Sequence, residues 1–261
     1  MRKYTMMDNS TRKIKPDYTV LNKETVDLSS FAKDADGYII LFDGRTLNGW
    51  RGYGKDQIPE RWVIEDGDMK INKSENTERI DIIFDYRFKN FELILEWKTS
   101  KGGNSGIFYL GREVQSVNPE TGETKIEPIY VSAPEYQLLD NENHPDALLG
   151  KDNNRQSASL YDMIPAIPQN SKPFGEWNKS KIVVNNGKVI HGQNDVDVVR
   201  YELWTPEWTH TLQSGKFSEE AWPLAFELLN DCGGALHEGY IGLQDHGDDF
   251  WFRNIKIKIL S

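Results

Sequence analysis

Apolar and polar residues alternate with period two along several short stretches of this chain. Phe91, Leu93, Leu95 and Trp97 alternate with Glu92, Ile94, Glu96 and Lys98. Successive side chains on a strand point to opposite faces, so this period predicts a strand with one apolar face. Near the end, Arg253, Ile255, Ile257 and Ile259 alternate with Phe252, Asn254, Lys256 and Lys258. The stretches 129–139 and 239–246 are also strand-like. Lys181 to Val184 and Lys188 to His191 flank Asn185-Asn186-Gly187, a hairpin signal. Helical periodicity is scarce. Ser218 to Leu229 predicts one short helix, with Ser218 able to cap it, Glu219 and Glu220 in its first turn, and Pro223 tolerable only near its start. Many short strands with Gly-rich turns predict an all-β jelly-roll sandwich of two antiparallel sheets with a short helix. Residues 1–37 are polar and lack a sustained period, so they are expected to form an N-terminal extension. Residues 38–261 are expected to form one domain, opening on Tyr38-Ile39-Ile40-Leu41-Phe42 and an Asp43-Gly44 turn.

Composition narrows the functions. The 261-residue chain carries a formal net charge of -10, which repels phosphate backbones and excludes nucleic acid as an expected partner. Residues Met1 to Val20 have no apolar core of the kind a signal peptide needs, and no run is long enough for a membrane span. The one cysteine, Cys232, lacks a cysteine partner for a disulfide or a redox motif, and is expected to be a small buried residue. Aromatic residues make up 11% of the chain, including eight Trp. Their flat faces suit sugar rings as well as cores.

The strand period also picks out polar pairs. Glu96 and Lys98 oppose Leu95 and Trp97. Glu135 and Gln137 oppose Tyr136 and Leu138. Gln244 and His246 oppose Ile241 and Leu243. If the three strands share one sheet, the pairs converge on its solvent face as a carbohydrate-binding groove; the competing reading is an ordinary solvated face. His246 lies among Asp245, Asp248 and Asp249, whose charges are expected to raise its pKa. Asn104 follows Gly102-Gly103 in a loop where the backbone can approach a ligand. The stretches 140–146 and 245–249 carry the oxygen ligands that calcium takes, Asp245 among them, though neither has EF-hand spacing.

These residues resemble a known family. Leu41-Phe42-Asp43-Gly44, followed by Leu47 and Gly49-Trp50, is similar to the opening of the 3-keto-disaccharide hydrolase domain family (DUF1080). Glu96-Trp97 with Gly103-Asn104-Ser105-Gly106-Ile107 resembles its next landmark. Glu135-Tyr136-Gln137-Leu138-Leu139-Asp140 resembles another, although Pro134 stands where the family often carries glycine. Gly242-Leu243-Gln244-Asp245-His246-Gly247 through Phe252-Arg253-Asn254-Ile255-Lys256 resembles its close. The likeness runs from Tyr38 to Leu260. It implies a concanavalin A-like jelly roll, bacterial export as a periplasmic, secreted or lipoprotein form, and action on 3-keto-glycosides.

A 3-keto group acidifies the sugar C2 proton, so a base can remove it while the C1 oxygen leaves; water then adds back for net hydrolysis. This chemistry needs a base near C2, an acid near the leaving oxygen, and a donor or metal on the carbonyl oxygen. Under the resemblance, Glu135 and His246 are expected to be the base and acid, in either order. Lys98, Gln137 and Asn104 are expected to polarise the carbonyl or hold hydroxyls, and Gln244 and Glu96 to bind the substrate with them. Glu96 and Asp245 are further expected to orient neighbours or to bind a divalent metal such as calcium. Two other readings stay open: a carbohydrate-binding module without catalysis, and a conventional glycoside hydrolase using Glu96 and Glu135.

Overall fold

A computed structural model describes residues 15–21, 23 and 26–261. The reading of the first fourteen residues lies outside these. Two antiparallel sheets form the body. The larger runs β14 (Val196–Glu202), β13 (Lys188–Gln193), β12 (Asn178–Asn185), β7 (Phe91–Thr99), β16 (Phe250–Ile259), β5 (Asp68–Ile71) and β4 (Trp62–Glu65), with β2 (Ile39–Ile40) paired to β16. The smaller runs β11 (Glu135–Leu139), β8 (Asn104–Gly111), β15 (Gly239–Leu243), β6 (Ile82–Phe88) and β3 (Trp50–Gly52). A third sheet joins β1 (Asp17–Val20), β9 (Val114–Val117) and β10 (Thr124–Ile126). Strand β1 therefore ties part of the N-terminal stretch to the body, with Tyr18 packed against the core.

The two main sheets face each other across one apolar core. Leu93, Leu95 and Trp97 of β7 enter it from the larger sheet, and Tyr136 and Leu138 of β11 from the smaller. Hydrogen bonds cross the gap as well. Tyr136 Oη donates to the Gly192 carbonyl at 3.0 Å, and Tyr109 Oη meets His191 Nε2 at 2.7 Å. Trp97 stacks on Phe250 at 5.6 Å and donates its indole N–H to Ser180 Oγ at 3.0 Å, so its polar tip is satisfied inside. The jelly-roll sandwich expected from the pattern is thus the architecture found. Cys232 is buried and free, as expected. Among the described residues no helix is long and apolar enough to cross a membrane.

Three local expectations are sharpened. Phe250 and Phe252 of β16 are buried, but so are Ile255 and Ile257. A strict period of two cannot bury both sets. The register slips between Arg253 and Lys256, where Asn254 takes φ 52°, and this bulge moves the second half of the strand onto the core face. The predicted hairpin turn is present, with Asn186 and Gly187 at φ 49° and 84°. The predicted helix is shorter, α2 (Pro223–Asn230), because Pro223 occupies its first turn; Ser218 Oγ instead accepts from Ala221 N in the preceding turn. A second helix, α1 (Pro206–Gln213), is capped by Thr205, whose hydroxyl accepts from Trp208 N.

Candidate active site

The outer face of the smaller sheet is divided. One half is apolar: Ile83, Phe108 and Tyr240 lie under Ile129 and Ala133. The other half is a polar cleft of about 190 Å³. Five residues picked out from the sequence line it: Asn104, Glu135, Gln137, Gln244 and His246. Glu135 and Gln137 share a face of β11 by strand alternation. Strand β8 supplies the neighbouring positions, since Gln137 pairs with Gly106 and Leu139 with Asn104. Gln244 follows β15 directly. Its N–H donates to the Gly106 carbonyl at 3.0 Å, and Ser105 Oγ donates to the Gln244 carbonyl at 2.8 Å. Gly106 is what seats Glu135: a Cβ at that position would lie 2.5 Å from Glu135 Oε1.

Two amides present hydrogen-bonding capacity to this space. Asn104 is 5% exposed, and its Oδ1 is buried without a hydrogen-bond partner. A buried acceptor left unpaired is costly, so the position favours a ligand hydroxyl that donates to it. Gln137 uses its carbonyl oxygen to accept from Leu138 N at 2.8 Å.

The environment pushes the two titratable groups toward their neutral forms. Burial raises the Glu135 pKa to about 8; the Lys216 charge opposes this, while Asp81 and Asp146 reinforce it. His246, exposed at the mouth of the cleft, is shifted down rather than up. Crowding by its neighbours is the main cause. The pull of Asp248 acts against it, but His144 and Arg79 add to the downward shift. The expected rise from acidic neighbours is therefore corrected: loss of solvent outweighs their pull, and those carboxylates also have other partners. Asp245 forms an ion pair with Arg61 at 2.7 Å, both side chains being almost fully buried, and its Oδ1 accepts from Gly247 N. Asp249 Oδ1 accepts from Lys73 N at 2.8 Å, and Asp248 Oδ2 accepts from Asn104 N at 3.2 Å.

Asp245 thus points away from the cleft and is matched by a guanidinium. Asp140 accepts from Gly102 N and from the Asn143 amide, which closes the 140–143 turn. Among the described residues no group of three or more His, Cys, Asp or Glu side chains is arranged to hold a metal ion. In this fold both acidic stretches form hydrogen-bonded turns.

Glu96 and Lys98 are not part of the cleft. Strand β7 belongs to the larger sheet, so their solvent face lies on the opposite side of the sandwich. Glu96 accepts from Arg253 Nε at 2.7 Å, and Lys98 sits over the rings of Trp177 and Trp251 at 4.9 and 4.8 Å. That face has its own, larger cleft of about 770 Å³. Four of its charged groups are matched in the Glu96–Arg253 and Asp34–Lys256 pairs, and no histidine lines it. Size alone is therefore a poor guide, and the smaller cleft is the candidate site.

Four cleft residues escaped the alternation reading: Tyr130, Asp146, Tyr161 and Lys216. All stand in loops or short turns, where no period marks a face. Tyr161 is fixed at both ends, its N–H on the Glu135 carbonyl and its hydroxyl on Asp146 at 2.9 Å. Arg155 holds Asp146 at 2.9 Å from the other side.

A Bacteroides thetaiotaomicron protein named 3-keto-disaccharide hydrolase is 66% identical over 233 residues, covering 87% of this chain and 80% of that protein. Two crystal structures of candidate glycosyl hydrolases from Parabacteroides distasonis share the architecture, each at 26% identity. One has a TM-score of 0.68 and covers 87% of this chain and 95% of its own; the other has a TM-score of 0.60 and covers 85% and 99%. Residues 37–258 match the model of one family over almost the whole described body, and the chain belongs to that family, the 3-keto-alpha-glucoside-1,2-lyase-like domain.

Proposed function

We propose that this protein is a carbohydrate-active enzyme that cleaves the C1–O bond of 3-keto-glycosides, with 3-keto-disaccharides as substrates. His246 removes the C2 proton, which the neighbouring ketone has acidified. The electron pair moves onto the C3 oxygen as an enolate, whose collapse forms the C1–C2 double bond as the C1–O bond breaks, and Glu135 protonates the departing oxygen. In the return half, the Glu135 carboxylate takes a proton from water as it adds to C1, and the imidazolium returns its proton to C2. The net result is hydrolysis with both groups restored. Asn104, Gln137 and Gln244 hold sugar hydroxyls.

The observation that carries this reading is the opposite displacement of the two groups: a carboxyl held toward its acid form and an imidazole held toward its base form line the same cleft. Opposed shifts of this kind sort an acid from a base. The names of the family and of the 66% identical relative support the substrate class and the elimination. A conventional glycoside hydrolase would use two carboxylates flanking one bond. Glu96, the partner expected for Glu135 in that reading, stands on the other sheet and is paired with Arg253.

Paired native and 3-keto disaccharides, assayed with and without a chelator, test the proposal. Turnover of the keto form alone is expected, and Glu135→Gln is expected to abolish it with the fold intact. Equal hydrolysis of the unoxidised sugar, or binding of the keto sugar without turnover, would sink it. Near wild-type rates in Glu135→Gln would remove that residue from the mechanism.

A further inference from the structure

Departure of the C2 proton places negative charge on the C3 oxygen, and the cleft needs a group to meet it. Lys98, expected in that role from the sequence, is on the far side of the sandwich. One other lysine reaches the cleft. Lys216 lies on the segment between α1 and α2 and lines the cleft with Glu135 and His246. Its Nζ stands 4.1 Å from the centre of the Tyr161 ring and 4.8 Å from that of Phe217. Tyr161 is itself immobilised by Glu135 and Asp146, so the ammonium rests on a fixed aromatic platform. The nearby Arg155 is engaged by Asp146 and Asp162. Lys216 forms neither a salt bridge nor a hydrogen bond with any described residue, which leaves its three donors for a ligand.

We infer that Lys216 is a catalytic residue, the cation that donates to the substrate C3 oxygen and stabilises the enolate formed when the C2 proton leaves. The inference rests on the elimination proposed above. Aromatic rings on one side strip water from the ammonium, and a partly desolvated charge meets a developing oxyanion more strongly than a solvated one does. The same crowding draws its pKa below the usual lysine value, against the opposing charges of Glu135 and Asp162. Glu135, held toward its neutral form, does not neutralise it. The proton stays on nitrogen throughout. The bond that breaks is C2–H, and the negative charge moves onto oxygen under the ammonium.

The test uses the whole 261-residue chain and a 3-keto sugar with hydrogen in place of the leaving group at C1, 3-keto-1,5-anhydroglucitol. Exchange of its C2 proton in deuterium oxide, followed by proton NMR, reports enolate formation without cleavage. Lys216→Met is expected to slow this exchange and the cleavage of a 3-keto-disaccharide together, by roughly 10²–10³-fold, the usual loss of one oxyanion donor. Lys216→Arg keeps the charge and is expected to recover most of the rate. Lys98→Met serves as control and is expected to match wild type. Lys216 is an exposed residue, and thermal melting checks that both variants are folded.

Exchange in folded Lys216→Met at the wild-type rate would overturn the inference, as would lost cleavage with exchange intact. So would a borohydride-trapped covalent adduct at Lys216, which would make the lysine a Schiff-base former. If wild type cleaves the keto-disaccharide but Lys216→Met does too, only this inference fails. If wild type neither exchanges nor cleaves, the underlying reaction fails and takes the inference with it.

Discussion

Alanine at position 106 displaces Glu135 without altering its chemistry. A methyl group there would stand 2.5 Å from Glu135 Oε1 and 3.1 Å from its Cγ and Cδ. Ordinary van der Waals separation begins near ~3.5 Å, so the carboxyl must withdraw by roughly 1 Å. The backbone accepts the change, because Gly106 is not among the positive-φ glycines. Alanine also narrows the unfolded ensemble, a gain of about 0.4–1 kcal/mol that offsets part of the crowding. The melting temperature is therefore expected to move by only a few degrees. Catalysis is less forgiving. A misplacement near 1 Å costs about 100-fold, or about 2.7 kcal/mol in the barrier. The assay is kcat/KM on a 3-keto-disaccharide beside a thermal melt, with the loss expected mainly in kcat. If Gly106→Ala stays within about threefold of wild type while Glu135→Gln is inactive, the carboxyl reacts from some other position and its seat against Gly106 is irrelevant.

The pH profile of kcat/KM should fall on its alkaline side near pH 8, as Glu135 loses the proton it donates, because burial raises its pKa to about that value. On the acid side the rate should hold to below the usual imidazole range, since His246 is shifted down. A rate that instead rises through pH 8 would exchange the roles of the two groups. Glu96→Gln, on the opposite face of the sandwich, should leave kcat/KM within about twofold, as expected for a change remote from the chemistry; a tenfold loss would place Glu96 in the reaction after all. Arg61→Met should leave the buried Asp245 charge unmatched and cost about 3–5 kcal/mol in urea unfolding, as lost buried partners do. A loss under about 1 kcal/mol would show that this pair carries little of the stability.

Strand alternation in the sequence went furthest where both faces of a strand have distinct jobs. Glu135 and Gln137 face the cleft while Tyr136 and Leu138 enter the core, as their order implies. Gln244 and His246 follow the same rule past the end of β15. Alternation reports faces, however, and not which sheet a strand joins. Glu96 and Lys98 do face solvent, but β7 pairs with β12 and β16, in a different sheet from β11. Pairing of that kind is set by contacts distant in sequence, which no local period encodes. The phase slip at Asn254 is likewise invisible to a strict period, because Phe252 and Ile255 are both apolar and each half of β16 reads as a strand alone. Tyr161 and Lys216 carry no periodic mark at all. The resemblance to the family offered nothing for Lys216.

The electrostatics of the cleft come less from the strands than from the loops laid over them. A carboxylate on an uncovered sheet face would be solvated and would titrate in its ordinary range. Glu135 departs from that range because it is 8% exposed, and the covering groups come from outside the sheet. Tyr130 arrives from the turn before β11, Asp146 and Tyr161 from the segment that follows it, and Lys216 from the connection between the two helices. These groups remove water from Glu135, and two of them bring charge of opposite sign. Asp146 reinforces the upward shift, while Lys216 limits it and keeps the carboxyl within reach of ionisation near neutral pH. The sandwich therefore fixes where Glu135 and His246 stand, through strand alternation and the gap left by Gly106. The loops fix their protonation. Changes in the loops can alter the working pH of such a site, and the sugars it accepts, while the two sheets and their core stay the same.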